Sequence, residues 1–352
     1  MNLANGHLRF GRWRRAHRSL EAHLEAGSLR VGNNLYVLGG YQTLTQMCTK
    51  MQILDIATRA WRYGPPLPAG FPLSHAGLAS DGRFLFVISG QEGPACEPAT
   101  DLAWALDLNN MVWTRMASLP VARYAPLLEY LDGHLHLISG ATEDRETIST
   151  DHFIMRIRDK SADAPRALPS LDSQVWRTGP PIPMGGDHAA SVVLDGKMYV
   201  IGGEHGHAAM TMDASKCCGS YWAHPYLFRY DPHREQWQRL ADLPVAVSHI
   251  ESQVVVLDGK ILVLGGTGDG DVFSARVQEY DPARDRWREM QTLPQARKGG
   301  VVWQKNGSVY FNGGQLTFDG NNRPVVADTM VARIRRGPWY SLFTRGARRP
   351  KS

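Results

Sequence analysis

Nine residues, Asp195-Gly196-Lys197-Met198-Tyr199-Val200-Ile201-Gly202-Gly203, return 63 residues later as Asp258-Gly259-Lys260-Ile261-Leu262-Val263-Leu264-Gly265-Gly266. Each copy is a polar turn, a short apolar strand and a glycine pair. Looser copies end at Gly39-Gly40, Ser89-Gly90, Ser139-Gly140 and Gly313-Gly314, which makes six copies spaced 50, 50, 63, 63 and 48 residues apart. A period of this kind limits the fold severely. Each unit is one supersecondary element that buries its apolar face only against its neighbours. Apolar runs are short and bounded by turn residues, and 35 glycines and 21 prolines supply the turns, so the units are built of strands.

Each repeat reads as four antiparallel strands. The strand ending in the diglycine is the second. The third carries patterns such as Leu227-Phe228-Arg229-Tyr230-Asp231-Pro232, and the fourth carries a tryptophan: Trp61, Trp113, Trp176, Trp237 or Trp287. A proline-containing link then leads to the next first strand. Aromatic rings fill the space between units, and glycine allows close approach where a side chain would clash. The sixth copy has no tryptophan strand of its own before Gly337-Pro338-Trp339, whereas Phe10-Gly11-Arg12-Trp13-Arg14 precedes the first. The N-terminal segment with Trp13 is therefore expected to supply the outer strand of the last unit and to leave no free sheet edge; Trp339 is the alternative. A repeat near 50 residues with a diglycine after an apolar strand is the Kelch signature. The expected fold is all-β, a six-bladed Kelch β-propeller with its ring closed by the N-terminal strand in the last blade.

The net charge of +5 hides an asymmetry. Residues 1–18 and 333–352 together carry twelve positive charges and no acid, so the body between them stands at −7. The basic ends read as solvated tails, and an acidic body argues against nucleic-acid binding. Residues 1–8 and 341–352 are expected to be disordered, flanking one propeller over 9–340. Insertions lengthen blade three at 158–173 and blade four at 204–224. No apolar run is long enough to span a bilayer and no signal peptide is visible, so a soluble, cytoplasmic monomer is expected. Cys48, Cys96, Cys217 and Cys218 follow neither a disulfide framework nor a metal-finger spacing.

The chemistry is sought where each link enters a first strand and where each diglycine loop leaves, which share one face. Sixteen residues before the diglycines stand His23, Leu73, Arg123, Gly186, His249 and Arg297. Beside them lie His75, Tyr124, Asp187, His188, Glu251 and Lys298, and the loops add Gln91, Glu92, Glu204, His205, His207 and Gln315. Strand period two puts His249 and Glu251 on one face. Around a six-fold ring these groups converge at the mouth of the central channel. Imidazole and carboxylate there suit acid–base work near neutral pH, or hydrogen bonding to a polar ligand. Metal ligation by His75, His188, His249 and Glu251 has no local ligand spacing to support it, and no metal or cofactor is expected. Arg123 and Arg297 serve either as anion clamps or as links between blades.

Several stretches carry a narrower resemblance: Ser74-His75-Ala76-Gly77-Leu78, Ser89-Gly90-Gln91-Glu92-Gly93-Pro94, Arg123-Tyr124-Ala125-Pro126, Gly185-Gly186-Asp187-His188-Ala189, Ser248-His249-Ile250-Glu251 and Gly313-Gly314-Gln315. The chain resembles plant and bacterial Kelch-repeat proteins whose plant members are membrane-anchored, over roughly residues 13–340. That resemblance implies the fold but no settled activity. Other Kelch proteins are enzymes, among them sialic-acid epimerases and the iron-binding nitrile-specifier proteins, whose Glu-x3-Asp-x3-His motif is absent here. The expectation is a pocket for a small polar or anionic molecule, with isomerase or lyase chemistry as the enzymatic option. His188, His249 and Glu251 are the catalytic candidates. His75, Gln91, Arg123, Tyr124, Asp187, Glu204 and Gln315 are the ligand-binding candidates. The rival expectation is a protein-interaction scaffold without catalysis.

Overall fold

The computed structural model describes residues 7–94, 98–144, 147–158, 167–205, 222–317 and 323–337. Of the terminal tails expected at 1–8 and 341–352, residues 1–6 and 341–352 lie outside them, as do Cys96, Cys217, Cys218, His207 and Trp339. Six antiparallel sheets of four or five strands follow one another, with four two-stranded ribbons in the loops between strands. Blade four is representative: Ala190–Leu194, Lys197–Ile201, Leu227–Asp231 and Gln236–Arg239 pair in chain order. The tryptophans at 61, 113, 176, 237 and 287 all fall in fourth strands. Among the described residues there is no α-helix, and no helix long and apolar enough to cross a membrane.

Blade six closes the ring as expected, but from further upstream. Its third strand, Thr329–Gly337, pairs with His7–Phe10 and again with Arg14–Arg15. Gly11 donates to the Arg333 carbonyl at 2.7 Å between the two segments. The expected disordered boundary at residue 8 is therefore corrected: His7 and Leu8 are strand residues, and Leu8 is buried in the core between blades five and six. Trp13 sits at the break in the strand and packs on Phe10, ring centroids 4.9 Å apart.

Among the described residues the apolar side chains form not one core but six, one between each pair of neighbouring blades, with a smaller seventh cluster of Tyr124, Ala125 and Ala141. Trp176, Trp237 and Trp287 each reach the preceding blade, donating from Nε1 to the carbonyls of Ala117, Pro180 and Ala241. Burial is thus satisfied in wedges between blades, and the axis where the six first strands meet is left to other residues.

The glycine pairs join the wedges. The second glycine of each donates its N–H to the next blade: Gly40 to Leu73, Gly90 to Arg123, Gly140 to Gly186, Gly203 to Val247, Gly266 to Arg297 and Gly314 to His23. The last of these, 2.7 Å long, bonds blade six to blade one. The approach tolerates no side chain. A Cβ on Gly39, at φ +61°, would stand 1.9 Å from the Leu73 carbonyl oxygen.

Candidate functional site

The six acceptors define the equivalent positions: His23, Leu73, Arg123, Gly186, Val247 and Arg297. Counting back sixteen finds five of them and misses blade five, where it lands on His249. In blade four the inner strand begins at Ala190, two residues after His188 and opposite Ile201. In blade five the residue opposite Leu264 is Gln253, four after His249. Two extra residues lie between them, and Glu251 is part of that extra turn.

Two residues beyond each acceptor stand Glu25, His75, Ala125, His188, His249 and Gly299. All six have left-handed backbones, with φ between +47° and +59°. They surround the axis closely enough to bond one another: Glu25 N–H to Gly299 O at 2.8 Å, His75 N–H to Glu25 O at 3.4 Å, Gly299 N–H to His249 O at 3.2 Å. Five of the six are not glycine, in a conformation costing an L-residue about 1 kcal/mol. His249 and Glu251 consequently share no strand face: one is left-handed and the other lies in a turn.

Glu25 and three imidazoles thereby meet on the axis. The His188 and His249 rings stack, centroids 4.0 Å apart and 7° from parallel. His75 meets His188 edge-on at 5.0 Å. His188 Nδ1 is 2.5 Å from Glu251 Oε1. His75 Nε2 is 3.1 Å from both Glu25 Oε2 and the Tyr124 hydroxyl, and His249 Nε2 is 3.7 Å from Glu25 Oε1. The far nitrogens are held from behind. His75 Nδ1 is 2.9 Å from Ser74 Oγ, and His249 Nδ1 is 3.0 Å from both Ser248 Oγ and Thr267 Oγ1 and 3.3 Å from Glu204 Oε2. The three imidazole side chains are at most 2% exposed, while Glu25 and Glu251 retain 10% and 21%. Beside them a cavity of about 90 Å³ is lined by Glu25, His75, Glu129, Ser191, Glu251 and Ser252 among others.

Electrostatics divides the imidazoles. Burial alone would depress His188, but the Glu251 carboxylate, with Glu204 and Asp187 behind it, raises it above the ordinary histidine range. Burial, and then the charge of His188, keep His249 low; burial outweighs Glu25 at His75. Burial would raise Glu25 and Glu251, yet the histidines hold both carboxyls below the usual range. A protonated imidazole therefore stacks on a neutral one.

Of the expected residues, His75, Tyr124, Asp187, His188, Glu204, His249 and Glu251 come together. Tyr124, Asp187 and Glu204 belong to a second layer in which the residue after each acceptor bridges the residue after a diglycine (Tyr124 to Ala141, Asp187 to Glu204). Gln91 and Gln315 occupy the same layer but tie down their own loops. Gln91 Nε2 donates to the carbonyls of Gly93 and Pro94, and Gln315 Nε2 donates to Arg323 O at 3.0 Å. Arg123 is engaged by Asp151 and the Ala122 carbonyl, and Arg297 by Gly313 O and Asp328. Neither arginine is an anion clamp; both serve the blade framework. The axial cluster has four carboxylates, Glu25, Asp187, Glu204 and Glu251. Lys298, the lysine beside it, is paired with Asp271 at 2.9 Å. That balance favours a neutral or cationic ligand over an anionic one. Glu25 was not anticipated. Its signal was the register itself, two residues beyond His23.

The architecture defines a class: six-bladed propellers with a polar, carboxylate-rich axis. The Kelch motif family model matches residues 252–294. A Kelch repeat-containing protein of Arabidopsis thaliana is 29% identical over 315 residues, 86% of this chain and 71% of that protein. Beta-scruin of Limulus polyphemus is 32% identical over 146 residues, but these are 41% of this chain and 15% of that much longer protein. The solved structure of YjhT matches with a TM-score of 0.68 over 89% of this chain and 95% of that one, at 14% identity; a likeness at that identity shows the fold. The chain is a six-bladed β-propeller that carries the Kelch motif and is similar to Kelch-repeat proteins over most of its length.

Proposed function

We propose that the propeller binds a small polar molecule in its axial cavity and performs acid–base chemistry on it, of isomerase or lyase type. One observation carries this reading: three imidazoles and two carboxylates, delivered by four blades, converge beside a cavity where packing needs none of them. His188, protonated and oriented by Glu251, is the proton donor. His249 and His75, neutral and held by hydroxyls on their far nitrogens, are the acceptors. Opposed protonation states side by side are what a proton-transferring pair requires. Glu25 and Glu251, the most accessible of the five, are the first groups a ligand entering the channel would meet.

The test is a thermal-shift screen of neutral sugars, sugar acids, amines and phenolics, run on the native protein and on a His188→Gln/His249→Ala variant. A compound that raises the Tm of the native protein alone supports the axial site. A library without a hit, together with a variant that simply melts lower, would make the histidines structural.

A second reading is supported by a different observation. Trp222 and Val272, 68% and 67% exposed, stand on neighbouring loops of blades four and five. Those loops are joined by the Ala223 N–H donating to Asp269 Oδ1 at 3.0 Å. Exposed apolar side chains on a fixed platform suit a protein partner, and binding proteins is common work for Kelch propellers. Trp222→Ser, with Val272→Ser, would abolish such an interaction and leave any axial ligand unaffected.

A further inference from the structure

We infer that the axial cluster is a binding site for one divalent first-row transition-metal ion, held by His75, His188 and His249 with Glu25 and Glu251. The inference deepens the axial reading above and rests on it: a ligating imidazole is unprotonated, so in the ion-loaded site His188 gives up its proton and the ion, not the histidines, supplies the polarising acid.

The donor set comes first. His75, His188 and Glu251 each bring a ligand atom within 4.8 Å of the others, and so do Glu25, His188 and His249. Each set is two imidazoles and one carboxylate, a combination suited to borderline ions such as zinc, iron(II) and cobalt(II). His188 belongs to both, and to a third set with Asp187 and Glu204, which points to one centre with a choice of ligands rather than separate sites. Spacing agrees. Two donors each about 2.1 Å from a common ion stand roughly 3 to 3.5 Å apart; the Glu25 carboxylate oxygens lie 3.1 Å from His75 Nε2 and 3.7 Å from His249 Nε2.

Orientation is the second argument. A ligating imidazole is fixed by what holds its other nitrogen. His75 and His249 each follow a serine whose hydroxyl holds Nδ1, with Thr267 adding a second at His249, so that both Nε2 atoms face Glu25. Charge is the third. Four carboxylates meet at the axis, and Glu251 Oε2 is a buried oxygen with no hydrogen-bond partner. A divalent cation supplies the missing charge and occupies that oxygen. The adjoining cavity leaves room for an exchangeable ligand on the ion. An open position of that kind belongs to a centre that polarises a bound molecule or activates water, not to a closed structural one.

The full chain, stripped with chelator and dialysed, is titrated with Co²⁺ and followed by visible absorption and calorimetry. The expected result is one Co²⁺ per chain with d–d bands. His249→Ala should weaken binding at least tenfold, and so should Glu25→Gln, which keeps the shape of the side chain where the histidine variant does not fold. His233→Ala, on an exposed turn, should bind as the native chain does. Absence of saturable Co²⁺ binding by folded metal-free protein overturns the inference, as does binding that neither axial substitution weakens. The same metal-free protein goes through the thermal-shift screen. Protection by a polar compound without Co²⁺ binding removes the metal and keeps the axial site, whereas absence of both removes both.

Discussion

Two groups of histidines in this propeller are equally buried and differ in what surrounds them. On the axis, His75, His188 and His249 stand among carboxylates, and His188 is held protonated. In blade three, His136 Nδ1 and His152 Nε2 face each other at 2.9 Å, and His152 Nδ1 lies 3.2 Å from the Pro180 carbonyl. The rings around that pair are Tyr230 and Trp237. Burial, and the charge of the neighbouring histidines, push His136 down to about 3; burial pushes His152 down to about 4. Burial therefore does not mark a functional histidine. What surrounds it decides its charge: the Glu251 carboxylate bonded to His188 overcomes burial, whereas nothing beside His136 and His152 does.

The largest expected effect comes from breaking the axial ion pair. His188→Ala leaves Glu251 without its partner, at a cost of about 3 kcal/mol, the lower end for a buried pair because Glu251 is partly exposed. His152→Leu loses two hydrogen bonds, but the Pro180 carbonyl keeps the Trp237 indole N–H and only the His136 Nδ1 nitrogen is left unsatisfied, costing about 1–2 kcal/mol. Denaturant unfolding of both variants decides it. Equal costs would mean that the axial pair carries no special charge coupling.

The second effect is a difference of sign with pH. His136 and His152 have folded pKa values below the unfolded 6.5, so the unfolded chain binds more protons as pH falls. Stability is then present above 6.5 and is lost on acidification, by up to about 2 kcal/mol per histidine at pH 5. His188 is raised above its unfolded value, so in the metal-free protein its contribution is complete below 6.5 and is lost as pH rises. A His136→Leu/His152→Leu variant should flatten the acid limb of the Tm–pH curve, and His188→Gln the alkaline limb. Exchange of the two outcomes would reverse the assignment of charge.

This contrast was only half legible in the sequence. Ser74-His75, Asp187-His188 and Ser248-His249 stood out as a set because blade packing asks for no imidazole there. The fold was legible throughout, since the diglycine, the tryptophan strand and the proline link repeat in register. Register is also where the reading failed. Two residues inserted before Gln253 shift blade five, and neither the insertion nor the left-handed turn at His249 has a signature in composition. Glu25 was hidden for the same reason: its role follows from its place in the ring, and its chemistry only becomes visible once His75 and His249 are beside it. Arg123 and Arg297 were open in the sequence to either use, anion clamp or link between blades. Their side chains are the type an anion site needs, but Asp151 and Asp328 are remote in sequence and claim them first.

The smallest effect sharpens the comparison with a carboxylate in place of an imidazole. Glu129, on the first strand of blade three opposite His136, lines the same cavity as Glu25 and Glu251, but the side chain bonded to its carboxyl is a serine and not an imidazole. Ser191 Oγ donates to its Oε1 at 2.7 Å, and burial outweighs that bond, pushing the carboxyl up to about 7. Its folded pKa is above its unfolded one, so its contribution to stability is complete below about pH 4.5 and is lost as pH rises through 7. Glu129→Gln removes that loss. The variant should match the native protein at pH 4 and exceed it at pH 8 by about 1 kcal/mol, a figure kept small because the side chain is only partly buried. Thermal unfolding at the two pH values measures it. A variant less stable than native at pH 8 would mean that Glu129 is ionised and paired like its axial neighbours. The electrostatic boundary between the axial ring and the strands beneath it would then have to be moved outward to include blade three.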